Sequence, residues 1–259
     1  MLPVQGQPSG AVRNEVYFVS DVHLGLRFRD PSEREARFVA FLKALPVARM
    51  QALYLLGDIW DFWYEYRDVI PREGSRVTAC LMDIMDAGVE VWFCPGNHDI
   101  WTFSYFESIG MHRFDQPGFF SIGGRSFCLG HGDLLGGAPR SYSLMIRLFR
   151  SRIAQRLFSL LHPWIAFRIG NGWSNSNRRR HEPYRFKGES EPLYRFAAGV
   201  LAGRKVDYFV FGHLHDAVDM ELPGGARLVV LKDWMDGGWN YARFDGTTFS
   251  LCSGENPPE

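Results

Sequence analysis

Apolar and polar positions follow a repeating order along the first hundred residues. Val16-Tyr-Phe-Val19 is a short apolar run that stops at Ser20-Asp21. Ala52 to Leu56 is a second run and stops at Gly57-Asp58. Val89 to Cys94 is a third and stops at Pro95-Gly-Asn-His-Asp99. Short apolar runs bounded by polar turns read as buried strands. Between them the period changes. Phe38, Phe41, Leu42 and Leu45 share one helical face, and Ser32, with Glu35 three residues later, predicts where that helix starts. A second helix is predicted near Gly74 to Ala87, closed by Gly88. Strand, polar loop, helix, strand is the order of an α/β fold. It predicts a mostly parallel sheet with sites at the carboxyl ends of its strands.

Beyond about residue 117 the order is different. Phe119 to Ile122 and Ser126 to Leu129 flank Gly123-Gly124, which predicts a hairpin. Asp207 to Phe211, Val218 to Leu222, Arg227 to Leu231, Gly238 to Phe244 and Thr247 to Cys252 read as further strands. Pro223-Gly-Gly225 and Asp245-Gly246 supply turns. Two sheets face to face, with helices outside, would house all of them.

Between these halves lies Leu134 to His181, with nine arginines and no Asp or Glu. Tyr142, Met145, Ile146, Phe149, Ile153, Leu157 and Leu160 recur three or four apart, the spacing of an amphipathic helix. Leu161-His-Pro163 should end or kink it, and Trp164 to Ile169 forms a second apolar piece. The stretch reads as an insertion over 134–190 within a domain spanning 15–253. Residues 1–14 read as a polar tail and 254–259 as a disordered one.

Composition narrows the classes. Net charge is zero, so any electrostatic partner must meet a local patch, and no nucleic-acid partner is expected. Cys80, Cys94, Cys128 and Cys252 make no CxxC or CxxH spacing and read as free thiols of a reducing compartment. The start of the chain lacks an apolar secretory segment, and no stretch reaches the roughly 20 apolar residues that span a bilayer. A cytoplasmic protein, peripheral on a membrane, is the expectation.

Five motifs carry candidate chemistry: Asp21-Val-His23, Gly57-Asp58 with Asp61, Gly96-Asn-His-Asp99, Gly130-His131-Gly-Asp133 and Gly212-His-Leu-His215. Each alone has a bland reading as a loop or turn. Four follow directly on a predicted strand, so the sheet would bring their polar residues to one edge. Asp21 and Asp58 brought together would repel, and divalent cations remove that cost. Mixed carboxylate, imidazole and amide ligands suit Mn, Fe or Zn better than Ca. Asp61 and Asp133 read equally as supports for such ligands or as ordinary loop carboxylates. His112, His162 and His181 have no partner motif and read as structural.

In this order the motifs resemble the calcineurin-like metallophosphoesterase superfamily, over nearly the whole chain apart from the insertion. The resemblance implies a four-layer α/β/β/α sandwich with a helical, arginine-rich insertion, and two divalent metal ions, manganese first, with Fe or Zn as alternatives. It assigns Asp21, His23 and His215 to one metal and Asn97, His131 and His213 to the other, with Asp58 bridging. It makes His98 a proton donor or charge stabiliser, oriented by Asp99, with Asn97 beside it. Ser20-Asp-Val-His-Leu24, Leu55-Leu-Gly-Asp-Ile-Trp60 and the insertion resemble one branch, the UDP-2,3-diacylglucosamine pyrophosphatases of lipid A biosynthesis. That branch implies a lipid-linked nucleotide-sugar substrate cleaved to UMP and 2,3-diacylglucosamine 1-phosphate. It implies acyl chains held by the inserted helices and work at the cytoplasmic face of an anionic inner membrane. Asn175, Arg178 and Arg179 are the candidate substrate contacts. Many members of the branch carry Arg where this chain has His98. A metallophosphoesterase for a soluble nucleotide or other phosphodiester is the alternative. A nuclease fits less well, because the insertion is rich in Phe, Leu and Ile rather than base-reading groups.

Overall fold

The computed structural model describes residues 13–27, 30–178 and 184–254, with the side chains of 175–178 excepted. Six strands form the first sheet: β1 Glu15–Val19, β2 Met50–Leu55, β3 Glu90–Phe93, β4 His112–Arg113, β10 Trp239–Phe244 and β11 Phe249–Gly254. Five form the second: β5 Gly118–Ile122, β6 Arg125–Leu129, β7 Tyr208–Phe211, β8 Val218–Glu221 and β9 Arg227–Val230. The helices are α1 Pro31–Ala44, α2 Ser75–Asp86, α3 Tyr105–Ser108, α4 Arg140–Phe149, α5 Arg152–Ser159, α6 Pro163–Arg178 and α7 Pro192–Leu201.

The strand sequences explain the layering. Side chains alternate across a sheet, and here both faces are apolar. In β1 and β2, Tyr17, Val19, Leu53 and Leu55 pack with Phe38 and Phe41 of α1 and Leu81 of α2. Val16, Phe18, Ala52 and Tyr54 point the other way and meet Phe127, Leu129, Val210 and Val229 of the second sheet. The outer face of that sheet, Cys128, Phe209, Phe211 and Val230, is covered by Leu193 and Ala197 of α7. Helix, sheet, sheet, helix is the resulting order. A sheet buried on both faces carries continuous apolar runs, and these are the runs seen in the sequence.

The pairing sets the direction of the edges. Strands β1, β2, β3 and β4 run parallel in that order, and β10 and β11 complete the sheet antiparallel. In the second sheet β6, β7 and β9 are parallel. The carboxyl ends of β1, β2 and β3 therefore share one rim, and those of β6 and β7 share another.

Three expectations are corrected. Helix α1 is capped by Asp30, whose carboxylate accepts from Ser32 N (3.0 Å) and Glu33 N (3.1 Å), not by Ser32. Pro31 fills the first turn, where its missing N–H costs nothing. The amphipathic stretch is two helices, α4 and α5, broken at Arg150-Ser151. Gly254 is the last residue of β11 rather than part of a disordered tail, and 255–259 lie outside the described residues. Of the N-terminal tail, Arg13 and Asn14 are described; they bond to Gly88 O and Asp245 O.

Candidate metal centre

The five motifs converge. Asp21 and His23 follow β1, Asp58 follows β2, and Asn97 and His98 follow β3. His131 follows β6, and His213 and His215 follow β7. The chain must turn sharply where each strand stops. Asp21, His23, Asp58, His213 and His215 all have φ between 51° and 70°; among described non-glycine residues only Leu134 joins them. Left-handed backbone is costly for such residues and persists only where the surroundings enforce it. Here His23 N bonds Asp58 O (2.9 Å), His98 N bonds Asp58 Oδ1 (2.8 Å) and His213 N bonds Asp21 Oδ2 (2.9 Å). The motif glycines allow the close approach. A Cβ on Gly96 would strike Asp58 Oδ1, and one on Gly212 would strike Asp21 Oδ2.

The imidazoles are aimed by their outer nitrogens. His23 Nδ1–H donates to Asp61 Oδ1 (3.2 Å), His215 Nδ1–H to Asp233 Oδ2 (2.8 Å) and His131 Nδ1–H to Leu56 O (2.9 Å). A ring that donates from Nδ1 turns its Nε2 lone pair inward, the arrangement of a metal-ligating histidine. Nε2 of His23 and of His215 lie 3.6 and 3.5 Å from Asp21 Oδ1, a buried oxygen with no hydrogen-bond partner among the described residues. Nε2 of His131 lies 3.4 Å from Asp58 Oδ2 and 3.2 Å from Asn97 Oδ1. His213 stands with its ring centre 5.1 Å from that of His131. Ligand atoms of Asp21, His23 and His215, and again of Asp21, Asp58 and His131, fall within 4.8 Å of one another. A third such set is His23, Asp61 and His98. Lone pairs facing a carboxylate oxygen without a donor are what a cation requires, so the residues fit a metal pair.

The charges agree. Burial pushes the Asp58 carboxyl up, but His131 and His98 hold it well below the usual range. Burial likewise opposes ionisation of Asp21, and His215 and His23 overcome it. Burial drives His213 down to about 3, so its ring is neutral and available as a ligand. Burial opposes a charge on His131, yet Asp58 holds its ring well above the usual imidazole range, so without a cation the rim's carboxylates are balanced by imidazolium charge. A divalent cation would replace that charge and free the inward nitrogens as ligands.

The profile described as "Calcineurin-like phosphoesterase" matches residues 15–217. The chain belongs to the calcineurin-like phosphoesterase family. It is a metal-dependent hydrolase of a family that uses a dinuclear metal site, and its rim carries candidate ligands. A "UDP-2,3-diacylglucosamine hydrolase" of Porphyromonas gingivalis is 36% identical over 262 residues, covering 95% of this chain and 99% of that protein. One of Neisseria gonorrhoeae is 30% identical, covering 89% and 94%. The structure of a dimetal phosphatase from Danio rerio shares the fold at TM-score 0.52 and 16% identity, covering 95% of this chain and 98% of that one.

Within this phosphoesterase site one role changes. Asp99 was expected to orient His98. Its buried carboxylate instead accepts from Gly96 N (2.7 Å), Ile59 N (2.9 Å), Asp58 N (3.2 Å) and Trp60 N (3.3 Å), which clamps two strand-end loops together. The ring of His98 is oriented by Asp61, whose carbonyl accepts from Nδ1 at 2.9 Å. Sequence reading missed Asp233, and it missed Gln116, which holds the His131 loop through Asp133 O (2.9 Å) and Gly132 N (2.7 Å). Neither belongs to a motif; Asp233 stands 18 residues from its histidine. Asn175 and Arg178 fall in α6, their side chains outside the described residues, and Arg179 lies outside them altogether.

Beside the metal rim opens a cavity of about 300 Å³. Asn97, His98 and Asp61 form its polar end, and Trp101, Ile146, Phe149 and Phe158 line the rest. The insertion is fastened over it: Trp101 Nε1 donates to Phe149 O (2.7 Å), Tyr64 OH to Gln155 O (2.7 Å) and Tyr66 OH to Leu161 O (3.1 Å).

Proposed function

We propose that the chain hydrolyses the diphosphate of UDP-2,3-diacylglucosamine to UMP and 2,3-diacylglucosamine 1-phosphate. The observation that carries this reading is the junction of the metal rim with the apolar cavity under α4, α5 and α6. A phosphate-hydrolysing centre that opens into an aromatic and aliphatic cavity suits a phosphate ester bearing acyl chains. The names of the relatives support it.

Asp21, His23 and His215 would hold one cation, Asn97, His131 and His213 the other, and Asp58 both, with manganese preferred over Fe or Zn. Bound there, two divalent cations would supply Lewis acidity, activating a water and neutralising phosphoryl oxygens. The remaining work falls to side chains. The water oxygen forms a bond to one phosphorus of the diphosphate as the bridging P–O bond breaks. His98, its Nδ1–H committed to Asp61 O, presents Nε2 toward the site, 4.0 Å from Asp58 Oδ2. Protonated, that nitrogen donates to the departing phosphate oxygen; Asn97 lies beside it. Asp99 keeps Asp58 and the Asn97-His98 loop in register. Arg178, Arg179 and Asn175 are proposed to meet the substrate's phosphates. The residue range 134–190 acts as a lid within the domain of 15–253.

The outer side of the lid is proposed to rest on the cytoplasmic face of an anionic membrane. Leu144, Leu148, Ile153, Leu157, Leu160 and Trp164 are exposed there. Arg147, Arg152, Arg156 and Arg168 are exposed among them, and no acidic residue lies between 134 and 178. Apolar side chains and cations on one surface suit anionic lipid headgroups. No helix among the described residues is long and apolar enough to cross a membrane. Sedimentation with phosphatidylglycerol vesicles tests this: Leu157→Glu with Leu160→Glu should abolish it, and undiminished sedimentation would remove the lid from that role.

Hydrolysis of UDP-2,3-diacylglucosamine with added Mn²⁺, followed by UMP release, tests the activity. His98→Ala should slow release by about 10²–10⁴-fold, the range of a lost general acid. No UMP release, with retained cleavage of an aryl phosphodiester, would overturn the lipid substrate while leaving the metal site standing. His98, where the lipid branch often carries Arg, gives that second reading its footing.

A further inference from the structure

We infer that the two cation positions are unequal, and that Asp233, with Asp61, makes the position of Asp21, His23 and His215 the tighter one. This rests on the dinuclear reading above. Both imidazoles of that position are backed by carboxylates: His215 by Asp233 at 2.8 Å and His23 by Asp61 at 3.2 Å. Asp233 is itself held in place. Its Oδ1 accepts from Met235 N (2.9 Å), and its backbone carbonyl accepts from Asn240 Nδ2 (2.5 Å). It lies between β9 and β10, outside the five motifs.

The other position is built from neutral partners. The His131 ring is backed by a backbone carbonyl, Leu56 O at 2.9 Å. Asn97 contributes an amide. The His213 ring makes no hydrogen bond among the described residues. The nearby acid Asp133 bonds through Oδ1 to Gln116 Nε2 (2.5 Å) rather than to a histidine. Asp58 is common to both positions and so does not discriminate.

A carboxylate behind an imidazole raises its basicity and fixes its tautomer, and losing such a partner costs about 10–100-fold in metal affinity. Two carboxylate-backed rings with Asp21, against one carbonyl-backed ring, one ring with no backing partner among the described residues and an amide, therefore give ordered filling. The first cation enters at Asp21, His23 and His215, and the second is the one that exchanges.

The test is calorimetric titration of the metal-free full chain with Mn²⁺, with bound manganese counted by electron paramagnetic resonance. Two ions are expected, with affinities at least about tenfold apart. Asp233→Asn should weaken the tighter by about 10–100-fold and leave the weaker unchanged. If the metal-free D233N chain does not melt cooperatively, Asp61→Asn takes its place with the same expected loss. Two ions of equal affinity in the parent chain would overturn the inference. So would a variant that weakens only the second ion, or neither. A parent chain that binds fewer than two ions would instead overturn the dinuclear reading itself.

Discussion

Strand β1 carries a buried carboxylate at each end, and the two are treated in opposite ways. Glu15, at the amino end, is saturated from within: Arg49 Nε donates at 2.6 Å, Tyr17 OH at 2.9 Å and Arg243 Nε at 3.2 Å. Asp21, just past the carboxyl end, has one oxygen bonded to Ser20 Oγ and His213 N, while the other faces two imidazole nitrogens with no donor. The amino rim is closed by the chain's own protons. The carboxyl rim is left open for a ligand, at the cost of strained backbone. Stability and function are divided between the two ends of the same sheet.

The largest effect expected from this division is at Asp58, the carboxylate proposed to bridge the cations. Asp58→Ala removes the group proposed to serve both cation positions. Hydrolysis should fall by roughly 10³-fold, the upper end of what a single charge-stabilising group supplies. Bound manganese, read by electron paramagnetic resonance, should fall with it. Retention of both ions in D58A would show that the open rim does not depend on its shared carboxylate.

How much of this was legible follows from where the information sits. The sheet core and the residues that converge on the rim could be read because each strand ends in its own motif, so local order announces both. Supports that act across the fold could not. Nothing near Asp233 marks it as the partner of His215, since a hairpin and a loop intervene. Asp99 was misread because neighbours in sequence look like partners, whereas its carboxylate turns away to gather backbone N–H groups. The break at Arg150-Ser151 carries no Gly or Pro, and the apolar spacing runs on through it. The lid role proposed for 134–190 rests on composition, and its proposed phosphate contacts fall on residues whose side chains are not described.

A pair of glycines sharpens the contrast at intermediate size. Gly96 has room for no Cβ because Asp58 occupies that space. Gly96→Ala should cost the metal-free chain about 1–3 kcal/mol, the range of an overpacked core, and weaken Mn²⁺ binding as well. Gly199, exposed on α7, has open space where a Cβ would go. Gly199→Ala should add about 0.5–1 kcal/mol by restricting the unfolded chain and favouring helix. Chemical denaturation in the presence of chelator compares them. Equal responses would mean that the rim accommodates a Cβ at Gly96 and that the close approach of Asp58 does not require glycine there.

The smallest effect is at the closed end and appears only as a dependence on pH. Burial alone would raise the Glu15 carboxyl, but Arg49, Tyr17 and Arg243 together hold it below its ordinary range. A carboxylate with a lowered pKa in the folded chain stabilises the fold above its unfolded pKa, near 4.3. That contribution fades as pH falls through the folded value. Arg49 is half exposed, so solvent screens the pair and the contribution is about 1 kcal/mol or less. Glu15→Gln should therefore be less stable than the parent by about that amount at pH 7, and the gap should close as pH falls from 5 toward 3. Urea melts with chelator present, at both ends of that window, measure it free of any metal contribution. A gap that stays constant with pH would mean that Glu15 acts through its shape and hydrogen bonds rather than its charge. The amino rim would then resemble an ordinary packed edge, and the opposition between the two ends of β1 would rest on Asp21 alone.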